Sequence, residues 1–205
     1  MSHPGPALVL LVRHGATEWS AQGRHTGRTD VELTARGREQ TELLRPLLYR
    51  LIDSRHADPP SPPIVFSSTL ARARQTAELA MPECEIEEAH QLVEVDYGEY
   101  EGLTSVQIMD RNPDWNLFTQ GCPGGESIAA VSARCDSFIA KMERMATGRT
   151  VVAFTHGHFS RILTARMLGL PASAGSVFYN ETATIGVLDH RRGDLVLTGW
   201  NIAGD

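Results

Sequence analysis

Short apolar runs alternate along this chain with stretches in which leucines recur every three or four residues. Residues 7–12 (ALVLLV) form a continuous apolar run with β-branched members that ends abruptly at Arg13 and His14. Such a run suits a strand buried on both faces. From residue 34 to about 53, Leu43, Leu44, Leu47, Leu48, Leu51 and Ile52 fall at helical spacing, with Pro46 inside as a kink or break. Residues 57–63 (ADPPSPP) read as a loop, 64–66 as a short strand, and 70–80 as a helix stopped by Pro82. The middle is less regular. Residues 85–88 suit a short strand, 96–102 (DYGEYEG) are turn-rich, and 113–125 read as an irregular loop with large aromatics. A long helix is expected over 127–145 and a second buried strand over 150–154, ending in Thr155-His156-Gly157-His158. A helix follows to about Leu168. Two strands, 182–188 and 195–198, are joined by a turn at 191–194.

Strands alternating with helices predict an α/β fold: a three-layer α/β/α sandwich around a central, mostly parallel sheet. At 205 residues the chain reads as one domain, 1–205, with residues about 93–125 as an insertion covering the active site. In open α/β sheets, ligands bind outside the carboxyl ends of strands. The two buried strands, 7–12 and 150–154, each end in a cluster of histidine and glycine, so the two clusters can meet at one site.

Composition narrows the function classes. Hydrophobic residues are 41% and charged residues 21%, ordinary for a folded soluble chain and against disorder. A formal net charge of -6 makes a general nucleic-acid binder a poor fit. The first apolar run has no basic region before it and is too short to span a membrane, so a cytoplasmic protein without a membrane partner is expected. Cys84, Cys122 and Cys135 have no metal or redox spacing and read as free thiols.

The chemistry-bearing residues begin at Arg13-His14-Gly15. A neutral imidazole is a competent nucleophile near neutral pH. An adjacent guanidinium offers a planar fork of donors for phosphate oxygens. Glycine allows close backbone approach. Three residues alone are a weak signal. The longer stretch LVRHGATEWSAQGRHTGRTDVELTARG (11–37) is followed in order by SSTLARARQTAE (67–78), VEVDYGEYEG (93–102), GGES (124–127) and FTHGHFSR (154–161). Together these resemble the histidine phosphatase superfamily, in its phosphoglycerate mutase-like branch.

The resemblance implies that His14 is the nucleophile and becomes a phosphohistidine. Arg13, Arg72 and His156 would surround the transferred phosphoryl group as donors. Glu94 would protonate the leaving oxygen and then deprotonate the acceptor. Arg74 competes with Arg72, and Glu99, Glu101 and Asp96 compete with Glu94; the motif register favours Arg72 and Glu94. Substrate contacts carried over are Ser20, Thr26, Gly27, Tyr97, Gly157 and His158. Trp115 and Phe118 either wall the pocket or anchor the loop, and Arg161 ties its helix down. No metal or cofactor is implied. The expected partner is a small phosphorylated substrate, and the reading admits a homodimer.

The branch divides on whether water or a second substrate alcohol receives the phosphoryl group. Mutases resemble one another in an ERHYGALQG-like segment, a following lysine and an arginine pair on a longer insertion. This chain has EVDYGEYEG, then LTSVQI without lysine, and its Arg-Arg pair lies at Arg191-Arg192 in a late turn. A phosphatase is therefore expected, with a phosphoglycerate mutase as the alternative. The pattern is closest to mycobacterial-type acid phosphatases and to the sedoheptulose-bisphosphatase type, which implies a phosphorylated sugar or a similarly small metabolite. Two other classes compete. A metal hydrolase built on His14, His25, His156 and His158 lacks a supporting carboxylate or third histidine at metal spacing. A non-catalytic binding protein would have lost one of the reacting groups, and all are present.

Overall fold

The computed structural model describes residues 5–54, 61–191 and 193–204. In chain order the elements are β1 (Leu8–Arg13), α1 (Glu18–Ala21), α2 (Ala35–Asp53), β2 (Ile64–Ser67), α3 (Ala71–Ala80), β3 (Ile86–Glu88), α4 (Ser105–Arg111), α5 (Leu117–Gln120), α6 (Ile128–Met145), β4 (Thr150–Thr155), α7 (Gly157–Met167), β5 (Thr184–Arg191) and β6 (Asp194–Ala203). The strands form one sheet in the order β3-β2-β4-β1-β5-β6. β3, β2, β4 and β1 run parallel; β5 is antiparallel to β1, and β6 to β5.

The sheet separates two apolar clusters, and strand alternation sends successive side chains to each. Val9 and Leu11 of β1 and Val151 and Ala153 of β4 join Val131, Phe138, Phe159 and Leu163 of α6 and α7. Leu8, Leu10, Val12, Val152 and Phe154 join Leu44, Leu47, Leu48, Ala77 and Ala80 of α2 and α3 on the other face. The result is the three-layer α/β/α sandwich that the patterning predicts.

Pro46 does not end α2: the helix continues from Ala35 to Asp53. Its first turn is capped by the Thr34 hydroxyl on Gly37 N. The irregular stretch at 113–125 holds the short helix α5, and α4 precedes it with a Thr104/Gln107 capping box. The C-terminal strands are longer than their apolar runs, because β6 continues through Gly199 and Asn201 with register irregularities against β5. Residues 57–60 of the Pro-rich loop and Arg192 of the hairpin turn lie outside the described residues. None of the described helices is long and apolar enough to cross a membrane.

Candidate active site

The nucleophile candidate sits where β1 ends. His14 N donates to Thr155 O of the neighbouring β4, and His14 O accepts from Ala183 N on the β5 side. Strands on both sides thus fix its backbone. His14 Nδ1 lies 2.8 Å from Gly15 O. A carbonyl can only accept, so Nδ1 carries the proton and Nε2 presents a lone pair. Burial, then the charges of Arg72 and Arg13, hold His14 well below the ordinary histidine value, against the opposing Gly15 bond. The imidazole is neutral, the state a nucleophile needs.

The loop after His14 is clamped from two helices. Gly15 N donates to Thr76 Oγ1 at 3.1 Å and Ala16 N to Gln40 Oε1 at 2.9 Å. A Cβ on Gly15 would collide with the Gly37 carbonyl, and one on Gly37 with the Ala16 carbonyl. Only glycines allow α2 this close to the nucleophile.

Two arginines flank the histidine in different ways. Arg13 Nη1 donates to Asn180 O at 2.7 Å, while its buried Nε has no partner. A buried donor without an acceptor is costly unless a ligand completes it. Arg72, at the start of α3, is fully buried. Its Nε donates to His156 Nδ1 at 3.1 Å, and its Nη groups donate to Thr29 O, Thr26 O and Gly27 O. Of five guanidinium N–H bonds, one on Nη1 has no hydrogen-bond partner among the described residues. Arg72 is therefore a strut for the 26–29 loop as well as a charge behind His14.

His156 ends β4, its ring centroid 5.2 Å from that of His14. Because Nδ1 accepts from Arg72, Nε2 carries the proton and donates to Ser68 Oγ at 2.8 Å. Burial and the Arg72 charge keep this ring neutral too.

Glu94 meets the N-terminus of α7. Its carboxylate accepts from the backbone N–H of Val95, His158 and Phe159 at 3.0, 3.0 and 2.8 Å. Its segment is held by Arg134 of α6, a residue the sequence reading missed. Arg134 donates to the carbonyls of Gln91, Val93 and Glu94 and pairs with Glu126 at 2.8 Å. The competing acids are committed elsewhere: Glu101 accepts from Gly27 N and Thr29 N, and Asp96 pairs with Arg28. Arg74 pairs with Glu88 on the surface.

Tyr97, His158 and His25 form one wall. Burial first, then Glu94, holds Tyr97 well above the usual phenol range, so it stays protonated. Its hydroxyl and His158 Nδ1 share a hydrogen bond of 2.5 Å. His158 is held well below the usual value, chiefly by burial. His25 stacks on His158 at 5.6 Å and its Nδ1 donates to Leu103 O. Trp115 and Phe118 brace these rings edge-on at 5.5 and 5.6 Å, so the aromatics anchor the wall from behind.

Of these groups, Arg13, His14, His25, Glu94, Tyr97 and His158 open on a cavity of about 770 Å³, whose lining does not include the fully buried Arg72 and His156. Arg13, His14, Glu94, Ser20, Thr26, Tyr97, Gly157 and His158 line it. The Ser20 hydroxyl is engaged in the α1 capping box, and the Thr26 hydroxyl donates to Arg24 O. Gly157 lets the Arg13 guanidinium pass: a Cβ there would stand 3.3 Å from Arg13 Cζ. Gly27 departs from its expected substrate role. It is absent from the cavity lining, with its N–H on Glu101 and its carbonyl on Arg72. Arg161 donates to Gly175 O and Ser176 O, tying α7 down, and also reaches the cavity.

The sequence reading did not single out Asn180, Glu181 and Thr182, which also line the cavity. They precede β5, whose antiparallel pairing with β1 returns them beside Arg13. Among the described residues, no group of three or more His, Cys, Asp or Glu side chains is disposed to hold a metal ion.

The sequence profile of the Histidine phosphatase superfamily (branch 1) matches residues 9–203. An acid phosphatase of Mycobacterium tuberculosis is 45% identical over 197 residues, 96% of this chain and 93% of that protein. The sedoheptulose 1,7-bisphosphatase of Saccharomyces cerevisiae is 30% identical over 184 residues, 78% of this chain and 67% of that protein. A solved open reading frame product of Mycobacterium tuberculosis superposes with a TM-score of 0.88 at 43% identity, covering 97% of this chain and 98% of that one.

Proposed function

Because this chain belongs to the histidine phosphatase superfamily, branch 1, we propose that it hydrolyses phosphomonoesters of small metabolites, a phosphorylated sugar being the favoured class, through a phosphohistidine on His14. The observation that carries this is the tautomer of His14: its proton is fixed on Nδ1 by Gly15 O, so Nε2 offers a lone pair on a ring that burial and the charges of Arg72 and Arg13 keep neutral. His14 Nε2 attacks phosphorus and the ester P–O bond breaks. Arg13 Nε and the remaining Arg72 Nη1–H carry charge developing on the equatorial oxygens. Glu94 delivers a proton to the leaving oxygen. Water then attacks phosphorus, Glu94 takes its proton, and the P–N bond breaks to release inorganic phosphate.

Water is the favoured acceptor. The cations lining the cleft are arginines 13, 24, 36 and 161, with no lysine among them, and the carboxylates Glu94 and Glu181 share it. That lining lacks the lysine and the adjacent arginine pair by which the mutases resemble one another. Residues 93–125 are read as the insertion that covers the cleft, since Tyr97 and Ser105 reach it from there. The whole chain is read as one domain in the cytoplasm, working as a monomer or homodimer without nucleic acid or membrane, and with no resident cofactor.

The test supplies 3-phosphoglycerate with a trace of 2,3-bisphosphoglycerate, and in parallel p-nitrophenyl phosphate and sedoheptulose bisphosphate. Release of inorganic phosphate without 2-phosphoglycerate is expected. Rapid formation of 2-phosphoglycerate would replace the phosphatase reading with the mutase alternative.

A further inference from the structure

The cleft has a lobe, walled by α2 and the end of β6, that the reaction outlined above does not use. Arg36, Gln40, Thr182 and Asn201 line that lobe. Arg36 and Gln40 are four residues apart on α2 and so share a face of the helix. Asn201 comes from β6. The end of β6 is pressed against α2, since a Cβ on Gly204 would collide with the Leu43 carbonyl. This contact brings the strand and the helix together across the lobe.

The hydrogen bonds fix which way both amides point. Gln40 Oε1 accepts from Ala16 N at 2.9 Å and from Thr182 Oγ1 at 3.3 Å. Asn201 Oδ1 accepts from Glu181 N at 2.7 Å. A backbone N–H can only donate, so neither amide can be flipped without leaving that N–H facing another donor. The NH2 groups of Gln40 and Asn201 are therefore left over, and both side chains border the cavity. Asn201 holds this pose with φ of 56°, a conformation in which a residue other than glycine is uncommon. Arg36 forms no hydrogen bond or ion pair among the described residues. The nearby carboxylate, Glu181, is engaged by the exposed Tyr179 hydroxyl at 2.5 Å.

We infer that this lobe is a second anion subsite: Arg36, Gln40 Nε2 and Asn201 Nδ2 receive a carboxylate or a second phosphate of a substrate whose first phosphate lies at His14. Three donors from two elements, without acceptors of their own, match an acceptor-only group. A guanidinium among them supplies the charge. The lobe adjoins the nucleophile, because the amide that lines it also holds Ala16, two residues after His14. The inference rests on the proposed function only in placing the reacting phosphate at His14.

The decisive variants are isosteric. Gln40→Glu and Asn201→Asp keep the acceptor oxygen for Ala16 N and Glu181 N and turn the NH2 donor into a carboxylate oxygen. Arg36→Gln removes the charge. Binding is measured calorimetrically on a His14→Ala background, so no turnover is needed. Two matched pairs are titrated: 3-phosphoglycerate against glycerol 3-phosphate, and fructose 1,6-bisphosphate against fructose 6-phosphate. The first pair reads a carboxylate and the second a second phosphate.

The expected result is tighter binding of the partner with two anionic groups in at least one pair. Each of the three variants should cut that preference by about tenfold. Equal binding within both pairs, or a preference that moves less than about twofold in every variant, would overturn the inference. The same kcat/KM ratios are read in proteins with His14 intact, which covers a His14→Ala chain that fails to fold. Failure of the intact protein to hydrolyse p-nitrophenyl phosphate would sink the phosphatase reading separately, leaving the calorimetric result to stand by itself.

Discussion

At the scale of single residues, the site is a set of protonation states imposed by hydrogen-bond partners. His14→Ala removes the group that the proposed mechanism has take the phosphoryl. It should abolish turnover and the acid-labile label that a rapid acid-free quench retains on the intact protein. Appreciable residual turnover would displace His14 from the nucleophile's role. Glu94→Gln keeps one acceptor oxygen for Val95 N and Phe159 N, sets its NH2 against the His158 N–H, and cannot supply a proton. It should slow hydrolysis of alkyl phosphates by about 10²–10⁴-fold and p-nitrophenyl phosphate much less, since nitrophenolate leaves without help. Equal losses on both substrates would remove Glu94 as the acid. The two thiols near the core take no part: burial pushes Cys122 up to about 12 and Cys135 higher still, so neither supplies a thiolate.

Among secondary-structure elements, α2 approaches the loop after β1 so closely that a Cβ on either Gly37 or Gly15 would collide with backbone. Gly37→Ala would drive a methyl group into the Ala16 carbonyl and to 2.8 Å from Ala16 N. The loop carrying His14 must shift, so a stability loss of about 1–3 kcal/mol should appear as a lower urea midpoint, with a fall in kcat. An unchanged midpoint would show that the loop yields freely. The sequence carried this site unevenly. Arg13, His14 and His156 could be read because they close strands whose apolar runs are unbroken. Arg72 and Glu94 were legible by motif register, yet Arg72's role as a strut was not, because its partners are backbone carbonyls that no side-chain pattern records. Arg134 was hidden for the same reason. Asn180 to Thr182 were hidden because strand order decides their position. Nothing in the run at 182–188 says that it pairs antiparallel to β1. Gly27 looked like a ligand contact because a motif does not distinguish a glycine facing substrate from one facing an arginine.

Over the whole molecule, the buried histidines make stability depend on pH. His14, His156, His158 and His25 are all pulled below 6.5, burial being the first cause in each. In the unfolded chain they titrate near 6.5. Below that pH the unfolded chain binds protons that the folded chain refuses. Stability present above pH 6.5 is therefore lost as pH falls from there toward the lowered folded values. The thermal midpoint should fall more steeply between about pH 6.5 and 5 than between about pH 8 and 6.5. His25→Gln should flatten that slope, and a slope indifferent to His25 would assign the loss to other groups. The sheet order has a consequence of another kind. β4 is inserted between β1 and β2, so a chain emerging from the ribosome through residue 149 holds two strands with no partner between them. Both are apolar edges awaiting a segment made late. Synthesis must therefore pass β4 before the first half can close. A chain stopped there should be protease-sensitive and prone to pair its edges with those of its neighbours.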